Sequence, residues 1–127
     1  MKRVTGLGGI FFKAKDPKAL YEWYGKHLGI EFAPDGSGAM WHGGGSEDQV
    51  LNVLAFFPQD TKYFGTGPSP FMLNFRVDSL DELVKALREE GVQVDEKVER
   101  HDYGNFGWVT DPEGNRIELW EPPKGSE

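Results

Sequence analysis

Two segments of this chain are punctuated in the same way 62 residues apart, and that repeat restricts the folds open to it more than any other feature. Asp16-Pro17 opens the helical pattern PKALYEWYGKHL, which stops at Gly29; Asp78-Ser79 opens LDELVKALREE, which stops at Gly91. Asp accepts hydrogen bonds from the free amides of a first helical turn, Pro tolerates that turn because it has no amide to satisfy, and Gly takes the left-handed conformation that ends a helix. Leu20, Tyr21, Tyr24 and Leu28 lie near helical spacing in the first helix, and Leu80, Leu83, Val84 and Leu87 form one stripe in the second.

An apolar strand precedes each helix, LGGIFFKA (7–14) and FMLNFRV (71–77), and three strand-like stretches follow each. In the first half these are IEFAPDG and GAMWHGG, read as a hairpin around Asp35-Gly36, then QVLNVLAFF (49–57). In the second half they are VQVDEKVER, NFGWVTD and NRIELWE. The unit is βαβββ, used twice, a repeat of pattern rather than of sequence. The spacing predicts an α+β domain with module one at 1–60, a linker at 61–67 inside the loop-like stretch 58–70, and module two at 68–123.

Composition narrows the partners. A net charge of −7 disfavours nucleic acid, whose phosphates need a basic surface. It is compatible with a cationic ligand, although most acidic chains are simply soluble. With no cysteine, disulfides, thiolate metal sites and a Cys nucleophile are excluded. No apolar run approaches the roughly 18 residues of a membrane span, and the N-terminus has no signal-like apolar region, so a cytoplasmic protein is expected.

The closing segment DPEGNRIELWEP (111–122) combines turn chemistry with an alternating strand. Ile117 and Leu119 point one way; Arg116, Glu118 and Trp120 point the other. A tandem βαβββ chain with this close resembles the vicinal oxygen chelate superfamily of glyoxalase I, bleomycin-resistance proteins and extradiol dioxygenases. The resemblance covers nearly the whole chain and implies a cupped, mixed eight-stranded sheet with helices on its outer face.

It also implies metal ligands on four cup strands. The last-strand Glu matches Glu118. The first-strand position falls at Gly9 (or Ile10 with a one-residue slip), its counterpart in the second module at Met72, and the fourth-strand position at Leu54 or Asn52. Only Glu118 is a strong ligand for the hard divalent ions of the family, so no metal site is assigned; a weak divalent ion held through Glu118 stays open. His27, His42 and His101 lie off these strands and read as surface histidines.

Extending strand parity places Gly9, Phe11, Lys13, Asn52, Leu54, Phe56, Met72, Asn74, Arg76, Glu118 and Trp120 toward the cup. Ile10, Phe12, Leu51, Val53, Leu73, Phe75, Val77, Ile117 and Leu119 face the helices. The candidate ligand-binding residues are Phe11, Lys13, Asn52, Phe56, Met72, Asn74, Arg76 and Trp120, with Glu118 as catalytic candidate and Trp41, Phe64, Tyr103 and Trp108 as rim candidates. The bland alternative is a filled cup in which Glu118 pairs with Arg76 or Lys13.

Two functions fit. One is a glyoxalase-like lyase or isomerase-type enzyme in which Glu118 moves a proton. The other is a ligand- or antibiotic-sequestering protein of the bleomycin-resistance type, which needs no metal. A homodimer is expected from the resemblance.

Overall fold

A computed structural model describes residues 3–42 and 51–124. The elements run β1 (Val4–Ala14), α1 (Pro17–Leu28), β2 (Ala39–His42), β3 (Leu51–Pro58), β4 (Phe71–Val77), α2 (Leu80–Glu89), β5 (Gln93–Val94), β6 (Glu99–His101), β7 (Gly104–Thr110) and β8 (Arg116–Glu121). They form one mixed eight-stranded sheet in the order β2-β3-β1-β4-β8-β7-β5, with β6 on β7. Among the described residues no helix is long and apolar enough to cross a membrane.

The repeat is visible in the pairing. β1 runs parallel to β3, β4 runs parallel to β8, and β1 and β4 meet antiparallel at the centre. Outward from this seam, β3 pairs with β2 and β8 with β7, both antiparallel, so β2-β3-β1 mirrors β7-β8-β4.

Both helices begin and end where the punctuation places them, by different means. The Asp16 side chain accepts from Ala19 N at 3.1 Å, and Gly29 closes α1 at φ 71°. At α2 the Ser79 side chain makes no cap bond; the Leu80 amide instead donates to Glu121 Oε1, 2.8 Å away at the end of β8. A carboxylate from a distant strand thus performs the task that sequence reading gave to Asp78-Ser79.

Two strand expectations are corrected. Residues 30–33 form no strand. Ala33 N donates to Gly38 O, Gly36 N to Ala33 O, and Phe32 packs its ring on Tyr21 and Phe56, so the segment serves the helix side of the sheet as a tight loop. The stretch 92–100 is split between β5 and β6, with a bend that lets Asp95 N reach Trp108 O.

The third correction concerns phase. Parallel pairing sets Gly9 opposite Val53, Phe11 opposite Ala55 and Lys13 opposite Phe57. Directly paired residues share a face, so Val53, Ala55 and Phe57 belong to the cup, while Asn52, Leu54 and Phe56 face the other way. Phe56 packs against Phe12, Tyr21, Tyr24 and Phe32 under α1. The Tyr21 hydroxyl accepts from Phe56 N at 2.8 Å and reaches Phe56 O at 3.0 Å, pairing the backbone of β3 where β2 no longer covers it. The alternation LNVLAFF is apolar at nearly every position, so composition could not reveal which parity faced in.

Candidate functional site

The concave face of the sheet encloses a cavity of about 560 Å³. Phe11 of β1, Val53, Ala55 and Phe57 of β3, and Trp120 of β8 supply apolar wall. Glu99, His101, Tyr103 and Phe106 line it from β6, β7 and the turn between them. Tyr63 enters from the connecting loop. The rings associate in near-parallel pairs: His101 on Tyr103 (4.8 Å, 5°), Phe57 on Tyr63 (5.5 Å, 4°) and Phe106 on Trp120 (6.2 Å, 6°).

At the floor lies Glu118, 1% exposed. Register places it beside Asn74 on β4 and Trp108 on β7. Asn74 Nδ2 donates to Oε1 at 2.6 Å, Trp108 Nε1 donates to Oε2 at 3.1 Å, and Tyr63 donates its hydroxyl to Oε2. Burial pushes the Glu118 carboxyl above the usual carboxylate range; the three donors and the nearby Arg116 charge pull the other way without cancelling it. Burial, then the Glu118 charge, pushes the Tyr63 phenol upward, so it stays protonated and remains a donor.

Arg116 braces this arrangement. Its guanidinium donates to Tyr63 O, pairs with Asp95 Oδ2 at 2.6 Å and lies 4.9 Å from the Trp108 ring centre. At the rim, His101 Nε2 and Glu99 Oε1 are 3.0 Å apart.

The structure brings Phe11, Asn74, Glu118 and Trp120 together on the cavity wall. The other candidates lie elsewhere. Asn52 and Phe56 are out of phase, as described above. Met72, 0% exposed, is packed among Phe11, Ala55, Phe64 and Trp108 beneath the cup. Lys13 lies 5.6 Å over the Phe64 ring. Arg76 is buried, with its guanidinium against Gly6. The hydrogen bonds to Glu118 come from the neutral donors Tyr63, Asn74 and Trp108. Of the rim candidates, Tyr103 lines the cavity, Trp108 binds Glu118 and Phe64 is core, while the Trp41 side chain lies outside the described residues.

Besides the β3 residues, Tyr63, Glu99 and Phe106 are cavity residues that the sequence did not reveal, and His101, read there as a surface histidine, lines the cavity as well. Tyr63 sits in a Pro- and Gly-rich stretch that reads as linker. His101 sits in a charged run, and although exposed it faces the cavity.

The description Glyoxalase/Bleomycin resistance protein/Dioxygenase superfamily matches residues 6–119. The chain belongs to this superfamily. Among solved structures, methylmalonyl-CoA epimerase from Mycobacterium tuberculosis is 27% identical with a TM-score of 0.64, covering 97% of this chain and 91% of its own. A methylmalonyl-CoA epimerase in complex with methylmalonyl-CoA and NH4+ is 18% identical at TM-score 0.70, covering 98% of each chain. A superfamily member from Vibrio splendidus 12B01 is 17% identical at TM-score 0.61, covering 91% of this chain and 98% of its own. No curated protein matches by sequence.

For this glyoxalase-superfamily chain the donor set of a divalent-metal site is not assembled among the described residues. Gly9 offers no donor, Met72 offers a soft thioether enclosed in core, and the cup face of β3 presents Val53, Ala55 and Phe57. No three His, Asp or Glu side chains gather around Glu118 or elsewhere among the described residues. The described residues do not fit the metal of the family.

Proposed function

We propose that this chain is a small-molecule-binding member of the glyoxalase superfamily that takes a flat apolar body with a cationic N–H head into its cup without a metal. The observation that carries this reading is Glu118. A carboxylate held by three neutral donors stands at the floor of an aromatic-walled cavity whose described lining includes neither Lys13 nor Arg76. Oε1 receives one donor where a carboxylate oxygen has room for two, so an incoming N–H has an acceptor. Aromatic faces attract cations as well as flat rings, and Glu99 adds negative charge at the rim.

The enzymatic reading is the second one, and the 27%-identical epimerase favours it. Glu118 would then accept a substrate proton. Against it stand the absence of a cation or metal donor set on the described cavity wall and the net charge of −7, which opposes a polyphosphate such as coenzyme A. Exposed Val4, Leu7, Trp23, Leu28 and Met40 support a homodimer as part of the proposal, and light scattering returning only a mass near 14.3 kDa at high concentration would overturn that part.

Thermal-shift titration separates the readings. Benzamidine and larger arylamidines should raise the melting temperature in proportion to affinity, in the presence of EDTA, while toluene and benzoate do less. Stabilisation by a coenzyme A thioester alone, with solvent-deuterium incorporation into it, would replace binding with catalysis.

A further inference from the structure

Arg116 lies outside the cavity, yet it touches the supports of two of the three Glu118 donors. Its guanidinium holds the carbonyl of Tyr63 and backs the ring of Trp108, and these two side chains both donate to Glu118 Oε2. Tyr63 meets Trp108 edge-on, with ring centres 6.2 Å apart at 85°, so the three groups form one packed unit. Asp95 fixes the far side of the guanidinium at 2.6 Å, and Asp95 N donates to Trp108 O at 2.9 Å. The loop is shaped to this contact: Gly65, at φ 82° and one residue past Phe64, passes so close that a Cβ there would stand 3.0 Å from Arg116 Cδ.

We infer that Arg116 is the positioning residue of the cup, locking the connecting loop and Trp108 so that Tyr63 and Trp108 present their donors to Glu118 at the cavity floor. This rests on the reading of Glu118 as the ligand acceptor. A surface strut alone would need only the Asp95 pair; Arg116 instead divides its contacts between the loop, β7 and the bend after β5. The groups facing Glu118 from the surrounding elements are Tyr63 of the loop, Asn74 of β4 and Trp108 of β7, with Glu99 and His101 on the cavity wall and Arg116 as the nearby cation. Burial raises the carboxyl, so loss of Arg116 and of its two supported donors acts in the same direction and raises it further.

The test needs no ligand, which separates its failure from failure of the binding reading. Glu118 is titrated by carboxyl-carbon NMR, with its signal assigned from Glu118→Gln, and the Trp108 indole N–H is followed in parallel. In Arg116→Met the Glu118 midpoint should rise by about one pH unit or more, and the indole proton should lose its hydrogen-bonded shift. Arg116→Lys keeps the charge but not the planar fork, so it should recover part of the midpoint and not the indole position. Asp95→Asn, which loosens the guanidinium, should move the indole signal in the same direction by less; losing the Asp95 anion in itself lowers the Glu118 midpoint, so this variant is read on the indole alone. A folded Arg116→Met with both signals at wild-type positions overturns the inference, as does full recovery of both by Arg116→Lys, which would reduce Arg116 to a point charge. If Arg116→Met does not fold, an unchanged indole signal in Asp95→Asn overturns it equally.

Discussion

Glu118 combines two demands that usually conflict, burial and charge. A buried carboxylate is tolerated only when its lone pairs are used, and here Asn74, Trp108 and Tyr63 use three of them. Glu118→Gln tests how the balance falls. If the Gln amide turns its oxygen to Tyr63 and Trp108, its NH2 can donate to Asn74 Oδ1, an atom with no partner among the described residues. Asn74 must flip for this, so its NH2 takes the unpartnered place that Oδ1 held; one unsatisfied neutral group replaces another with no charge to desolvate, and at pH 7 the variant should stay within about 1 kcal/mol of wild-type stability. The sign of the pH dependence follows from the raised carboxyl. Between its unfolded and folded values the native state binds more protons, so wild-type stability falls as pH rises through that window. The variant lacks this slope and should compare better with wild type at pH 7 than at pH 4 in urea melts. In the same variant arylamidine affinity should drop at least about tenfold. A stability loss of roughly 3–5 kcal/mol at pH 7 would mean that the carboxylate is charge-paired, and would sink this account. The identity of Glu118 was legible in the sequence because Ile117 and Leu119 flank it in alternation. Its partners were not, since Tyr63 comes from a loop with no periodicity and Trp108 from a strand whose parity the sequence leaves open.

Elements show how a local signal can be right for a reason other than the one read. Asp78-Ser79 marks the start of α2, yet the Leu80 amide is bound by Glu121, 41 residues on. Ser79→Ala should therefore change stability by no more than about 0.5 kcal/mol, whereas Glu121→Ala should cost about 1 kcal/mol, the usual worth of an N-cap. Paired chemical denaturation curves check this, and equal losses in the two variants would return the cap to Ser79. β1 offers a second test. Gly8 is buried, and a Cβ on it would overlap Asn74 Oδ1 and stand 3.0 Å from Trp120 Cε3. Gly8→Ala should push Asn74 off Glu118 and lower stability by about 1–3 kcal/mol through overpacking; a fully wild-type melt would show that the wall yields freely. Strand existence was readable for β1, β3, β4, β7 and β8, where apolar residues concentrate. The phase of β3 was not, because only its pairing with β1 decides between two apolar faces. The 30–33 segment was misread because Phe32, which fits a strand by type, finds more contact with Tyr21 and Phe56 than an edge would give.

Across the whole molecule the two modules share a topology but not a core. Val77, Leu80, Leu83, Val84, Val109 and Leu119 form a cluster that lies wholly in the second module. The other cluster, Phe11, Ala55, Phe64, Met72 and Trp108, spans both and forms the layer beneath the cup. The first helix contributes no fully buried residue, and Trp23 and Leu28 are 52% and 59% exposed, whereas α2 buries Leu80, Leu83 and Val84. Sequence periodicity showed an apolar stripe on both helices and could not show that one of them packs more shallowly. Local stability follows buried apolar contact, so the modules should open at different free energies. In native-state hydrogen exchange, amides of α2, β7 and β8 should exchange only by global unfolding. Amides of α1 should exchange through a local opening at least about 2 kcal/mol cheaper, since burying even one large apolar side chain contributes about 1.5–3 kcal/mol. Tyr21 tethers α1 to the Phe56 backbone, so Tyr21→Phe should lower the α1 opening energy further while leaving α2 unchanged. An arylamidine that binds the cup contacts side chains of both modules, including Phe11 and Glu118, and should raise the α2, β7 and β8 protection by the full binding free energy. Its effect on α1 should be small, because the local opening of that helix leaves the cup intact. Equal protection of α1 and α2, with equal responses to the arylamidine, would show that the shared sheet couples the modules into one cooperative unit despite the uneven core.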